Sequence, residues 1–194
     1  MKSRLIILDR DGVINHDSPD YIKSPEEWQP LPGSLDAIAQ LSHADYRVVI
    51  ITNQSGIARG MYTINTLNRI HQKMMDELQP LGGEVSAIFF CPHGPDDDCE
   101  CRKPKPGLFL ELADRLKCNL KEVISVGDSI RDLQAAHSAG AKPVLVETGN
   151  GADTIKVLQN GYADLELKNI PVFKDLADFV DTLLAFKAPG PAGS

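Results

Sequence analysis

No stretch of this chain approaches the ~20 consecutive apolar residues that a membrane-spanning helix requires. The first apolar run, Leu5 to Leu8 in "MKSRLIILDRDG", is short and meets charges at once, so it does not read as a signal peptide. Aromatic residues are scarce at 6%, with a single Trp, and the net charge is −7. An acidic chain without interleaved basic and aromatic residues excludes a broad nucleic-acid-binding face. Any anionic ligand must then be met by a local cluster of cations. Cysteine is limited to four residues, and in a chain that reads as cytoplasmic these are not disulfide staples. Internal repeats and long linkers are also missing. Only the tail "APGPAGS" (188–194), rich in Pro, Gly and Ala, is expected to be disordered.

What is present is an ordinary globular composition over 194 residues, with 42% hydrophobic and 24% charged residues. That is enough for one domain with a sizeable core, expected over 1–187. Apolar runs rich in β-branched residues fall at Leu5 to Leu8, Val48 to Ile51, Val85 to Phe90, Val123 to Val126 and Val144 to Val146. Several are continuous rather than alternating, as in strands covered on both faces. Helical periodicity fills 34–44, 63–79, 106–117, 130–139, 151–160 and 173–187. Thr63 is a fitting N-cap, and Gly140 stands where a C-terminal glycine is expected. This alternation predicts an α/β fold: a doubly wound, mainly parallel sheet with helices on both faces.

In such sheets ligands bind beyond the carboxyl ends of the strands, and four polar signals fall there. Asp9 and Asp11 follow the first strand, "TNQSG" the second, "CPH…CECRKPKPG" the third and "GDSIRD" the fourth. Alone, Asp-x-Asp-Gly could be a turn, and Thr52, Asn53 or Asp128 a cap. Turns and caps have no reason to gather carboxylates, a hydroxyl and lysines at one sheet edge. Asp9, Asp11 and Asp128 can supply hard oxygen ligands for Mg²⁺. A carboxylate held there can attack a phosphoryl group and form an aspartyl-phosphate. A second carboxylate two residues on can protonate the leaving alkoxide and later deprotonate water. Thr52, neighbouring amides and a lysine of the "RKP" turn can bind and neutralise phosphoryl oxygens.

The order "DRDGV", "TNQSG", "KPKPG", "GDSIRD" resembles the haloacid dehalogenase-like (HAD-like) phosphohydrolases in all four of their motifs. The resemblance implies that Asp9 is the nucleophile and Asp11 the general acid/base. Thr52 and Lys103 would stabilise the phosphoryl group. Asp9, the Asp11 carbonyl and Asp128 would hold Mg²⁺, with Asp132 supporting them from behind. A non-catalytic aspartyl-phosphate switch is the rival of another class, but it has no use for Asp11. Nothing between Asp9 and Asp128 is long enough for a separate cap domain.

The loop "CPHGPDDDCEC" carries Cys91, His93, Cys99 and Cys101, a complete tetrahedral ligand set for a structural Zn²⁺. Free thiols and a surface histidine are the bland alternative, and Cys118 reads as a packing residue. Such a loop running into "RKP" resembles two capless branches of the family, acting on heptose 1,7-bisphosphate and on histidinol phosphate. "TNQSGIARG" and "RKPKPG" favour the heptose branch, whose product leads toward ADP-heptose and lipopolysaccharide. Ser129 stands where that branch often carries a lysine. By the same likeness Asp17 and Tyr21 would lie near the sugar. Asn53, Gln54 and Ser55 offer amides and a hydroxyl to phosphate or sugar. Arg102, abutting Lys103, suits a second phosphate, because guanidinium grips phosphate in two prongs. The reading is a monomeric phosphatase of a small sugar bisphosphate, with neither nucleic acid nor membrane as partner.

Overall fold

The structure, a computed structural model, describes residues 4–160 and 166–186. The tail expected at 188–194 lies outside the described residues. Six strands, β1 (Arg4–Leu8), β2 (Tyr46–Asn53), β3 (Val85–Cys91), β4 (Ile124–Gly127), β5 (Lys142–Val146) and β6 (Val172–Phe173), form one sheet. Their order is β3-β2-β1-β4-β5-β6, and every pairing is parallel. The chain winds outward from β1 in both directions, so the order reverses between β1 and β4. That gap is where a crevice must open.

The apolar runs divide between two faces as the strand period demands. In β1, Ile6 and Leu8 join one core and Ile7 the other. Helices α1 (Ser34–His43), α2 (Ile64–Leu78) and α6 (Leu176–Ala185) cover the first face through Ile38, Ile70, Met74 and Phe179. Helices α3 (Gly107–Leu116) and α4 (Ile130–Ser138) cover the second through Phe109, Leu112 and Ala135. The remaining helix, α5 (Gly151–Gln159), packs Leu158 against Leu145 of β5 and Leu133 of α4. Register runs Ile6 to Val48 and Ile124, so the ends of β1, β2 and β4 lie side by side.

Several boundaries differ from expectation for local reasons. The Thr63 hydroxyl accepts the Thr66 amide at 3.1 Å and caps α2 as expected, and Gly140 takes φ +81° past α4. The last helix begins at Leu176 instead of 173, because the Asp175 side chain caps it by accepting the Asp178 amide. The strand β6 is only two residues long, too brief to leave a pattern. No helix among the described residues is long and apolar enough to cross a membrane. Among the described residues, no separate layer of elements is inserted over the sheet edge. The segment after β1 instead folds as a loop with one 3-10 turn, Pro25–Glu27, pinned by the buried Trp28.

Candidate active site

A cavity of about 290 Å³ opens at the carboxyl edge of the sheet, and every motif singled out from the sequence reaches it. Asp9 leaves β1 with its amide bonded to the Val126 carbonyl at 2.9 Å, which sets it beside the end of β4. Oxygen atoms of Asp9, Asp128 and Asp132 lie within 4.8 Å of one another. Asp128 is held from the loop after β5: Asn150 donates to its Oδ2 through the backbone amide at 2.7 Å and the side chain at 3.0 Å. The Thr154 hydroxyl adds a bond to the Asp128 carbonyl at 2.9 Å. Only glycine fits around that carboxylate. A β-carbon at Gly12, where φ is +80°, would fall 2.1 Å from Asp128 Oδ2, and one at Gly149 2.2 Å.

Lys103 is buried and bridges the cluster. Its ammonium donates to the Ile51 carbonyl at 2.9 Å, pairs with Asp9 Oδ1 at 2.9 Å and pairs with Asp132. The Asp9 contact is an ion pair without an aligned hydrogen bond, so Oδ1 stays a buried oxygen with no hydrogen-bond donor. Burial opposes the lysine charge, but Asp132 and Asp9 together raise its pKa above the ordinary value. Asp132 ties the cluster to the start of α4. One oxygen meets Lys103, while the other accepts the Ser129 amide at 2.9 Å and the Ser129 hydroxyl at 2.6 Å. This capping box starts α4, which gives Ser129 a structural reason to be serine.

Asp11 lives in a different environment. Its Oδ1 accepts from Arg10 Nε (3.1 Å) and Nη2 (2.9 Å) and from Asn15 Nδ2 (2.9 Å). Its Oδ2 accepts from Arg10 Nη2 and Gln54 Nε2, both at 2.9 Å. Burial works against its charge, but Arg10, Asn15 and Gln54 together hold the carboxyl below the usual range. The other pair of carboxylates moves the opposite way. Burial, then Asp132 and Asp11, push Asp9 up to about 7 against the pull of Lys103. Burial, Asp132 and Asp9 push Asp128 up to about 8. With Arg10 matched to Asp11 and Lys103 to Asp132, the cluster lacks two positive charges at Asp9 and Asp128. Those two oxygen donors, one without a hydrogen bond, are chemistry that a hard dication fits.

Asn53 and Gln54 line the cavity, and both side chains are also engaged within the protein. The Asn53 amide pairs with the Lys103 backbone, donating to the carbonyl at 3.0 Å and accepting the amide at 3.1 Å. The Gln54 amide bridges Asp11 and the Thr52 hydroxyl, both at 2.9 Å. The Tyr62 hydroxyl, at 2.7 Å, and Arg10 orient that amide through Oε1. Thr52 is buried and accepts from Gln54, which leaves its own hydroxyl proton to donate. Ser55, Asp17 and Tyr21 line the cavity, and Asp17 accepts from Asn150 Nδ2 at 3.0 Å. Arg102 lines it too, with one guanidinium nitrogen donating to the His93 carbonyl at 3.2 Å. Arg59 and Arg131 add cations to the same wall.

Arg10, Asn15, Tyr62, His71 and Asn150 were not expected from the sequence. "TGNG" after β5, at the same sheet edge as the other signals, is the trace Asn150 left; Arg10 is a charge at the end of an apolar strand. Asn15, Tyr62 and His71 left no comparable trace.

The cysteine loop closes beside this wall. The Cys91, Cys99 and Cys101 sulfurs lie 3.3–3.6 Å apart, and His93 Nδ1 is 3.2 Å from Cys101 and 3.6 Å from Cys91. These spacings are far beyond a disulfide bond and near the ~3.8 Å expected between sulfurs sharing a Zn²⁺ at ~2.3 Å. Burial pushes the Cys91 thiol up to about 12, so a thiolate there needs a cation. The four side chains could hold a metal ion.

Fold and site together define a HAD-like hydrolase, and residues 100–179 match the HAD-hydrolase-like family model. The chain belongs to the family of D-glycero-beta-D-manno-heptose-1,7-bisphosphate 7-phosphatases. It is 54% identical to the enzyme of that name from Bordetella bronchiseptica over 93% of this chain and 98% of that one. The enzyme of that name from Pseudomonas putida is 51% identical over 93% and 99%. A crystal structure of the B. bronchiseptica D,D-heptose 1,7-bisphosphate phosphatase with magnesium and phosphate superposes with a TM-score of 0.89, covering 94% of this chain and 99% of that one at 54% identity.

Proposed function

We propose that this chain hydrolyses the 7-phosphate of D-glycero-D-manno-heptose 1,7-bisphosphate and leaves heptose 1-phosphate. The family supports the substrate, and the β anomer named for the relatives is the one proposed. The observation that carries the reaction is the contrast between two aspartates two positions apart. Asp9 stands beside Asp128 with its Oδ1 paired to the Lys103 ammonium at 2.9 Å, while Asp11 is gripped by nitrogen donors at the cavity wall.

In this reading an Asp9 oxygen attacks phosphorus, and the bond from phosphorus to the C7 oxygen breaks. Asp11, loaded with a proton when the negative charge of the substrate enters the cavity, gives that proton to the oxygen as it leaves. Water then attacks the aspartyl-phosphate, its proton returns to Asp11, and inorganic phosphate departs from a restored Asp9. Thr52 donates to a phosphoryl oxygen, and Lys103 balances its charge. Magnesium held by Asp9, the Asp11 carbonyl and Asp128 supplies the two charges the cluster lacks. Zinc on Cys91, His93, Cys99 and Cys101 fixes the loop that presents Arg102 to the 1-phosphate. Asp17, Tyr21 and Ser55 face the sugar.

The rest of the reading follows from the same residues. Residues 1–187 work as one catalytic domain. In this reading the chain acts as a monomer. Free thiols in the cluster fit the reducing cytoplasm, where heptose 1-phosphate keeps the anomeric phosphate needed to make ADP-heptose for lipopolysaccharide. Phosphorus NMR of the product tests the regiochemistry. The expected spectrum retains the anomeric phosphate and loses the C7 phosphate; loss of the anomeric signal overturns the reading.

A further inference from the structure

Arg10 lies between the two catalytic candidates in sequence, is 1% exposed, and has no part in the reaction described so far. A buried guanidinium is costly unless its donors are met. Here Nε and Nη2 grip both Asp11 oxygens, Nη2 reaches Gln54 Oε1 at 3.2 Å, and Nη1 lies 3.4 Å from His71 Nε2. His71, on α2, is buried edge-on to Phe90 at a centroid distance of 6.4 Å. Burial and Arg10 hold its pKa down near 3, so it stays a neutral acceptor behind the guanidinium. The cation is therefore fixed from behind by a helix and faces a single carboxylate.

We propose that Arg10 is a positioning residue: braced by His71, it fixes the plane of the Asp11 carboxylate and so aims proton delivery at the leaving oxygen. Gln54 and Asn15 complete the clamp, each adding one amide to one oxygen. A carboxylate gripped on both oxygens cannot turn about its last bond without breaking the fork. Gln54 also holds Thr52, so the same clamp keeps the acid in register with the phosphoryl-binding hydroxyl. The inference rests on the acid/base reading of Asp11. It adds a residue that acts through Asp11 and touches no reacting atom.

Leaving groups separate positioning from simple structural support. Heptose 1,7-bisphosphate releases an alkoxide that needs a proton, whereas p-nitrophenyl phosphate releases a stable phenolate that needs none. The value of kcat/KM reports steps up to phosphoryl transfer to Asp9. Arg10→Lys keeps the charge and loses the fork. Its kcat/KM is expected to fall ~100-fold on the bisphosphate and less than ~10-fold on the aryl ester. Equal losses on both substrates would make Arg10 merely structural and overturn the proposal. Asp11→Asn, run in parallel, must show the split as well. If Asp11→Asn lacks it, the acid role falls and the proposal with it; if only Arg10→Lys lacks it, the proposal alone falls. Should thermal melts show Arg10→Lys unfolded, His71→Phe removes the brace without touching Asp11. It must give the same split at smaller amplitude, and equal losses again overturn the proposal.

Discussion

At the scale of single residues, environment makes two identical side chains different reagents. Asp9 is raised to about 7 by burial among carboxylates, while Asp11 is lowered by the guanidinium and amides that wrap it. Asp9→Asn should abolish turnover and leave the chain folded, because amide and carboxylate are nearly isosteric. Substantial activity in pure Asp9→Asn protein would contradict its role as nucleophile. The paired aspartates were legible in sequence because polar residues at the end of an apolar strand demand a reason. Arg10 and His71 were not, since 61 positions separate them and only the packing of α2 against the sheet unites them. Asn53 and Gln54 were legible as residues of the strand end, but their bonds to the backbone of Lys103 and to the Asp11 carboxylate were not, because those partners come from distant parts of the chain.

At the scale of elements, the site depends on how two local structures begin. The α4 capping box ties Ser129 to Asp132, and Asp132 in turn pairs with Lys103. Ser129→Ala should destabilise the fold by about 1 kcal/mol in urea titration, with no change in m-value. An unchanged midpoint would show that the cap is unimportant there. The cysteine loop has little apolar core of its own, so a metal would close it. Verified removal of zinc should lower the melting temperature markedly while magnesium affinity, measured by calorimetry, changes little. An unmoved melting temperature would contradict a structural metal. The five longer strands were legible as continuous apolar runs, and the Cys/His cluster as paired spacing. The strand β6 was not, because two residues carry no period.

At the scale of the molecule, unbalanced charge couples folding to pH. Asp9 at about 7 and Asp128 at about 8 both lie above the ordinary carboxylate value of 3.8. In metal-free protein the native state therefore keeps protons that the unfolded chain has already released. These groups make stability fall as pH rises from about 4 to about 8. Magnesium competes with those protons, so the rise in melting temperature that it causes should be larger near pH 8 than near pH 5.5. An equal rise at both values would contradict a dication on these carboxylates. The doubly wound topology was legible as a whole. Two segments line the cavity at its edge: the one after β1 with Asp17 and Tyr21, and the one following the cysteine loop with Arg102.

The most direct test of the account is kcat/KM with Mg²⁺ for β-heptose 1,7-bisphosphate and for histidinol phosphate, measured side by side. A preference of ~100-fold for the bisphosphate, about 2.7 kcal/mol of transition-state discrimination, is the expected result. It would support Arg102 as the reader of the second phosphate. Equal rates, or a preference for histidinol phosphate, would contradict the heptose assignment and leave only the phosphoryl-transfer machinery standing.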